Sequence, residues 1–230
     1  MKNLITTLLL SLLFTVSQAQ ECGNFNSMKE GFIYTMKTFD KKDKFIGSVS
    51  YNLLKVEEGS AETKIQMECV YRDKKDKENT VHEVEILCSD GFMKTSLNQF
   101  TSVGTETLAL EDDMTVEMEG TTFDIPLGIS VGDKIRDSDF TTNVFIGDVK
   151  FLTTIVKVTD CKATAMKTVT TDAGDFECVV IEYNSMIKAG FVTLRHSNKV
   201  YFSKELGYFV KTEAYKNGKL DSYTILSEKV

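Results

Sequence analysis

The chain has 230 residues, 42% of them hydrophobic, with 27 basic against 34 acidic side chains and a net charge of −7. No basic stripe is visible along the sequence to attract a phosphate backbone, so nucleic acid is not an expected partner. Its length and apolar content suit one β domain or two small ones, and with a single proline, Pro126, and no glycine or serine tract to mark a linker, one domain is expected.

The first 19 residues read as a secretory signal peptide: Lys2, an apolar run from Leu4 to Val16, then Ser17 and Ala19 before the cut. The run is short of the ~20 residues that span a bilayer, so no transmembrane anchor is expected. Residues 20–230 then form the exported domain, periplasmic or extracellular, with its net charge lowered to −8 by the loss of Lys2. Glu21 precedes Cys22, where an acylated cysteine would need a small residue before it; lipid anchoring through Cys22 is the lesser alternative.

Export permits disulfides, and the other four cysteines are Cys69, Cys88, Cys161 and Cys178. Five is odd, so at least one thiol stays free or pairs outside the chain. A bond between Cys22, at the mature N-terminus, and Cys88, at a strand end, is the expected pairing among several that spacing allows. The spacings hold no CxxC pair, and zinc is not expected.

From residue 31 onward the dominant period is two. In "KIQMECVY" Ile65, Met67, Cys69 and Tyr71 share one face, and Lys64, Gln66 and Glu68 the other. "VHEVEILC" repeats the pattern with Val84, Ile86 and Cys88, so 63–88 reads as a hairpin closed by the charged turn "RDKKDKENT". Further strands are expected in "GFIYTMKTF", "FIGSVSYNLLKVE", "MTVEMEG", "FDI", "FTTNVFI", "DVKFLTTIVKVT", "CKATAMKTVT", "FECVVIEYNSM", "FVTLRHSNKVYFS", "YFVKTEAY" and "LDSYTILSEK". At most one short helix fits, near "MKTSLNQF". The fold class is therefore all-β: an antiparallel β-roll, sandwich or open barrel built from hairpins.

The ends of the chain share a weak repeat, since 31–56 and 207–230 both read as hairpins with an aromatic pair, a lysine-rich turn and a tyrosine-then-leucine strand. Asn217 and Gly218 suit a tight turn that needs positive φ. "DKKDK" at 40–44 lacks glycine and reads as a longer loop whose lysines keep an edge soluble.

Catalytic signals are scarce. The two histidines, His82 and His196, have no partner at a catalytic spacing, and nothing resembles G-x-S-x-G. The acidic group Glu111, Asp112, Asp113, Glu117 and Glu119 lacks the EF-hand pattern and reads as a solvated turn and strand. No catalytic, cofactor-binding or metal residue is assigned, and no cofactor is expected. Fifteen phenylalanines, nine methionines and eight tyrosines could line a cavity for a lipid or other apolar ligand, though such residues fill cores first.

"TTDAGDFECVVIEYNSM" at 170–186 groups two aspartates, a glycine and a cysteine, and first looks like a site. Read by period two, Gly174 permits a turn and the strand after it is apolar on both faces, as a central strand is. The stretch resembles the "TPAG-x-F-x-C-x-x-I-x-Y" signature of a family of exported β proteins of unknown function from Gram-negative bacteria, often labelled TapB-like. "MKEG" after Cys22, "YTMKTFDKKDKFIG", "FDIPLGISVGDKI" and "GYFVKTEAYKNGKL" follow in the same order, although Asp172 stands where the signature has proline. The resemblance implies an all-β roll or open barrel at the cell envelope and supplies no catalytic residue. Three functions stay open: a non-enzymatic exported protein binding an apolar or amphipathic ligand on a curved sheet, a structural module that docks an envelope protein, and a hydrolase with an unrecognised site.

Overall fold

The computed structural model describes residues 29–59, 61–95 and 114–230. The apolar run 4–16, Cys22, residues 96–100 of the expected helix and the acids Glu111 to Asp113 lie outside the described residues. The fold is all-β, an antiparallel roll whose sheet is not closed by hydrogen bonds, and the described residues contain no helix.

Two hairpins open the chain: β1 (Ile33–Asp40) with β2 (Phe45–Glu58), and β3 (Glu62–Asp73) with β4 (Glu78–Ser89). Short strands follow, β5 (Phe92–Thr95), β6 (Met114–Gly120) and β7 (Phe123–Pro126). Then come β8 (Ser138–Ile146), β9 (Val149–Thr171), β10 (Gly174–Ala189), β11 (Val192–Ser203), β12 (Tyr208–Lys216) and β13 (Lys219–Lys229). All thirteen join one sheet in the order β6-β8-β9-β10-β11-β12-β13-β1-β2-β3-β4-β5-β7. The hairpins that share the weak repeat lie side by side, because β13 pairs with β1 and so splices the two ends of the chain.

Consecutive strands β6 and β7 occupy opposite edges of this sheet, with only Thr121 and Thr122 between them. Three residue steps span roughly 10 Å at most. The sheet must therefore curl until its two edges nearly meet. The crossing is pinned on β8: Thr121 N–H donates to the Asp139 carbonyl at 2.8 Å, and Ser138 Oγ donates to the Thr122 carbonyl at 2.9 Å. Phe123 then sits 5.9 Å from the ring of Tyr183 on β10, a strand far away in sheet order.

The curl creates a concave face, and large side chains fill it. Ile65, Met67, Ile86, Met93, Ile125 and Ile181 are all fully buried there, and each buried side chain of this size contributes ~1.5–3 kcal/mol. Tyr34 and Tyr51 stack at 4.6 Å, with Tyr208 at 5.0 and 5.7 Å from them. Tyr34 Oη donates to Met67 Sδ at 3.9 Å. Burial, with Tyr208 adding to it, holds the phenols of Tyr34 and Tyr51 well above their ordinary range, so this cluster stays neutral.

The period-two reading of 63–88 corresponds to β3 and β4, with Ile65, Met67, Cys69, Ile86 and Cys88 buried. The strand of "TTDAGDFECVVIEYNSM" is β10, which lies inside the sheet between β9 and β11 and buries Cys178 and Val180 on one face, Val179 and Ile181 on the other. Two expectations are corrected: Met93, Lys94 and Thr95, which open the expected helix "MKTSLNQF", pair with β4 as strand β5, and "DVKFLTTIVKVT" and "CKATAMKTVT" are not two strands but the single 23-residue β9. The Asp-Cys junction that looked like a break is a bulge, with Asp160 at φ 58 and register shifts against β10 around it.

Gly120 makes the crossing sterically possible. Its φ is +136, and a Cβ there would lie 2.4 Å from the Asp139 carbonyl oxygen and 2.5 Å from Phe140 Cα. Gly120→Ala is expected to cost about 3 kcal/mol in urea denaturation, because strain and backbone clash add. Gly132→Ala, at φ +102 with open space around it, should cost clearly less. Equal losses would show that φ alone, rather than the approach to β8, makes Gly120 necessary.

Candidate functional site

On the outer face of the sheet the side chains do not follow the simple rule of polar and solvated. Cross-strand register brings Glu182 opposite Lys199, Lys199 opposite Glu213, Glu213 opposite Tyr223 and Tyr223 opposite Phe39. The result is a transverse ladder in which charged groups alternate with aromatic rings. Lys199 Nζ meets Glu182 at 2.8 Å and lies 5.8 Å from the Tyr215 ring centre. Lys211 Nζ meets Glu213 at 2.7 Å and sits 5.5 Å from the rings of both Tyr201 and Tyr223.

Glu213 is the hub. Its Oε2 accepts hydrogen bonds from Tyr215 Oη at 2.7 Å and Tyr201 Oη at 3.0 Å. Burial pushes its carboxyl up, but the hydrogen bonds from Lys211, Tyr215 and Tyr201 outweigh that and hold it below its ordinary value. The Tyr215 phenol is pushed up to about 12 by burial and by its bond to Glu213. Tyr223 extends the ladder to the turn at 40–44, donating to Asp43 Oδ1 at 2.9 Å and stacking on Phe39 at 5.2 Å.

At one end of the ladder the bulge in β9 opens a groove of about 290 Å³, lined by Asp160, Glu182, Asn184, Ser197, Lys199 and Tyr215 among others. The left-handed conformation of Asp160 turns its carboxylate beside Asn184, whose Nδ2 donates to Asp160 Oδ2 at 3.0 Å. Ser197 Oγ donates to Asn184 Oδ1 at 3.1 Å. The Asp160 N–H donates to Asp137 Oδ1 at 3.1 Å, which fixes the bulge from the other side. The groove offers an aromatic wall, a cation paired with a carboxylate, an amide and a hydroxyl within one polar surface.

Of the residues singled out in the sequence, few gather. His196 faces Asp221, Nε2 to Oδ2 at 3.9 Å, with its side chain 12% exposed. It pairs in register with Ser185, but that hydroxyl accepts from Asn198 Nδ2 at 2.9 Å and no hydrogen bond joins it to His196. The side chains of His82 and Glu117 lie outside the described residues, and Glu119 is exposed. Among the described residues no group of three His, Cys, Asp or Glu side chains could hold a metal ion. The groove residues were missed because Asp160, Asn184 and Lys199 come from three strands and have no motif; the one local signal was "TDC", which breaks the alternation of β9.

Matching folds define the class: an open all-β roll of the YmcC-like kind. An exported-protein structure from Bacteroides fragilis, named for its YmcC-like fold, is similar with a TM-score of 0.74 at 20% identity, covering 88% of this chain and 96% of that one. A structure named as a lipoprotein, from Parabacteroides distasonis, is similar with a TM-score of 0.74 at 19% identity, with the same coverage. The family model for DUF3108-like proteins matches residues 29–226, and the chain belongs to that family. The TapB-like label remains a resemblance of motifs. No curated protein matches the sequence.

Cys69, Cys161 and Cys178 are free and buried, and burial pushes each thiol up to about 12. At pH 8 a thiol so raised holds roughly a thousandfold less thiolate than a free cysteine. These three are expected to resist an aromatic disulfide reagent in the native protein at pH 8 and to react once it is unfolded in guanidinium. Rapid native reaction at Cys161, beside the groove, would make it a candidate nucleophile instead.

Proposed function

We propose that the protein is an exported, non-enzymatic binding protein of the cell envelope that holds an amphipathic ligand on the outer face of its sheet. The observation that carries this reading is the groove at the β9 bulge, where Asp160, Asn184, Ser197 and the Lys199–Glu182 pair converge beside the Tyr215 ring. A polar headgroup exchanges hydrogen bonds with these side chains, and the ladder that continues from the groove, in which Lys211 lies over the rings of Tyr201 and Tyr223 and Tyr223 stacks on Phe39, offers an amphipathic ligand aromatic faces between charged groups. The filled concave face favours the outer side of the sheet over its interior.

Export is supported by the signal-peptide pattern of residues 1–19 and by the names of the two similar structures.

Lysophosphatidylethanolamine, kept below its micelle concentration, serves as the probe. Native mass spectrometry is expected to detect one adduct, and Asn184→Ala with Lys199→Ala to weaken it on the order of tenfold, as the loss of two polar contacts does. An adduct that never forms, or one indifferent to both substitutions, would rule the reading out.

We further propose that Cys22 bonds to Cys88. Cys88 is buried on β4 and is not among the free thiols, whereas Cys69, Cys161 and Cys178 are. Closing so long a loop contributes roughly 4 kcal/mol through the unfolded state. A protease digest of the unreduced, alkylated protein is expected to yield one linked peptide holding both residues. Separate peptides with both thiols alkylated would sink the pairing.

A further inference from the structure

We propose that the rim formed by five hairpin tips docks the protein on an anionic lipid bilayer. Because neighbouring strands are antiparallel, the turns β1–β2, β3–β4, β8–β9, β10–β11 and β12–β13 all lie at the same end of the sheet. Two of them carry the same pentapeptide, "DKKDK", at 40–44 and 73–77, and fold identically. Asp40 Oδ1 accepts from the backbone N–H of Lys42 at 2.8 Å and Lys44 at 3.0 Å; Asp73 Oδ1 accepts from Lys75 at 2.7 Å and Lys77 at 3.0 Å. Asp43 and Asp76 take the left-handed conformation at φ 58 and 62. In both turns the leading carboxylate is turned onto its own backbone, while the lysines stand exposed.

"KNGK" at 216–219 adds two exposed lysines on the adjacent tip, and Lys150 and Lys188 flank the remaining two. Among the described residues of the rim, ten lysines face six aspartates and Glu78, on a chain whose net charge is −7. Structure thus concentrates positive charge that the linear sequence disperses. Glu111 to Asp113, which lead into β6, lie outside the described residues.

The other two tips add exposed apolar side chains to their charges. Gly190 and Phe191 form a two-residue turn, and Phe191 protrudes completely, at 110% relative exposure. Phe151 is 61% and Val149 70% exposed at the β8–β9 tip, and Val192 is 57% exposed beside Phe191. Tight turns ordinarily use Asn, Asp or Gly at such an apex; a phenylalanine there gains no contact within the chain.

Aromatic side chains at tips, surrounded by lysines, match a bilayer boundary: rings enter the headgroup layer and ammonium groups meet anionic lipids. Phe191 stands on a hairpin apex and Phe151 near the start of β9, beside the Gly147–Asp148 turn. A second copy is disfavoured because two lysine rims repel. This inference does not depend on the groove reading, and apart from Gly218 of the "KNGK" turn its residues are different ones.

Cosedimentation of the exported protein with vesicles of phosphatidylglycerol and phosphatidylcholine provides the test, with phosphatidylcholine alone as reference. Binding is expected on the anionic vesicles and should fall in 0.5 M salt, ~4 Å of Debye length, as exposed charges are screened. Lys41→Gln, Lys42→Gln, Lys74→Gln and Lys75→Gln together should weaken it on the order of tenfold or more, as should Phe151→Asp with Phe191→Asp. Met166→Asp, an exposed site away from the tips, should leave it unchanged. Circular dichroism reports whether each variant folds. No binding to anionic vesicles overturns the proposal. So does loss with the lysine variant but not with the phenylalanine variant, which would mark a surface for a soluble polyanion.

Discussion

A two-residue crossing governs this fold. Thr121 and Thr122 carry the chain from one edge of a thirteen-stranded sheet to the other, and a link of that length cannot be stretched. Curling follows from covalent geometry, and the concave face from curling. The tyrosines and isoleucines that fill that face then hold the curl by burial, so chain connectivity and hydrophobic packing select the same shape.

Filling the inside moves the chemistry outside. In a sheet with one solvated face, cross-strand pairs are the unit of stabilisation, and each exposed charged pair is worth little. Here the pairs are linked. Glu213 serves Lys211, Tyr201 and Tyr215 at once, and Lys211 serves two rings, so fixing one side chain lowers the entropy cost of fixing the next. The same ladder ends at the β9 bulge in a groove and, through Tyr223 and Asp43, at a lysine turn. The groove and a charged rim are thus mechanically joined across the outer face.

Much of the fold was legible in the sequence for a local reason. Period-two alternation in "KIQMECVY" follows from strand geometry alone, and Asn217–Gly218 meets a turn's need for positive φ wherever the hairpin lies. β9 was misread because a bulge at Asp160 interrupts alternation as a turn does, and only pairing with β10 and β8 shows the chain continuing. The groove was illegible for a different reason. Asp160, Asn184 and Lys199 become neighbours through register across three strands, and register has no signature in any one of them.

By itself the sequence determined most of the strands, the hairpins at 31–56, 63–88 and 207–230, and the buried two-faced character of β10, because each depends on residues a few positions apart. Tertiary structure alone decided that the repeat hairpins would splice through β13 and β1, and that the concave face would be filled. It also decided that lysines dispersed from 41 to 219 would gather on one rim. The physical reason is that sheet order and curl are set by long-range pairing, whose entropy cost is met only when the whole core assembles.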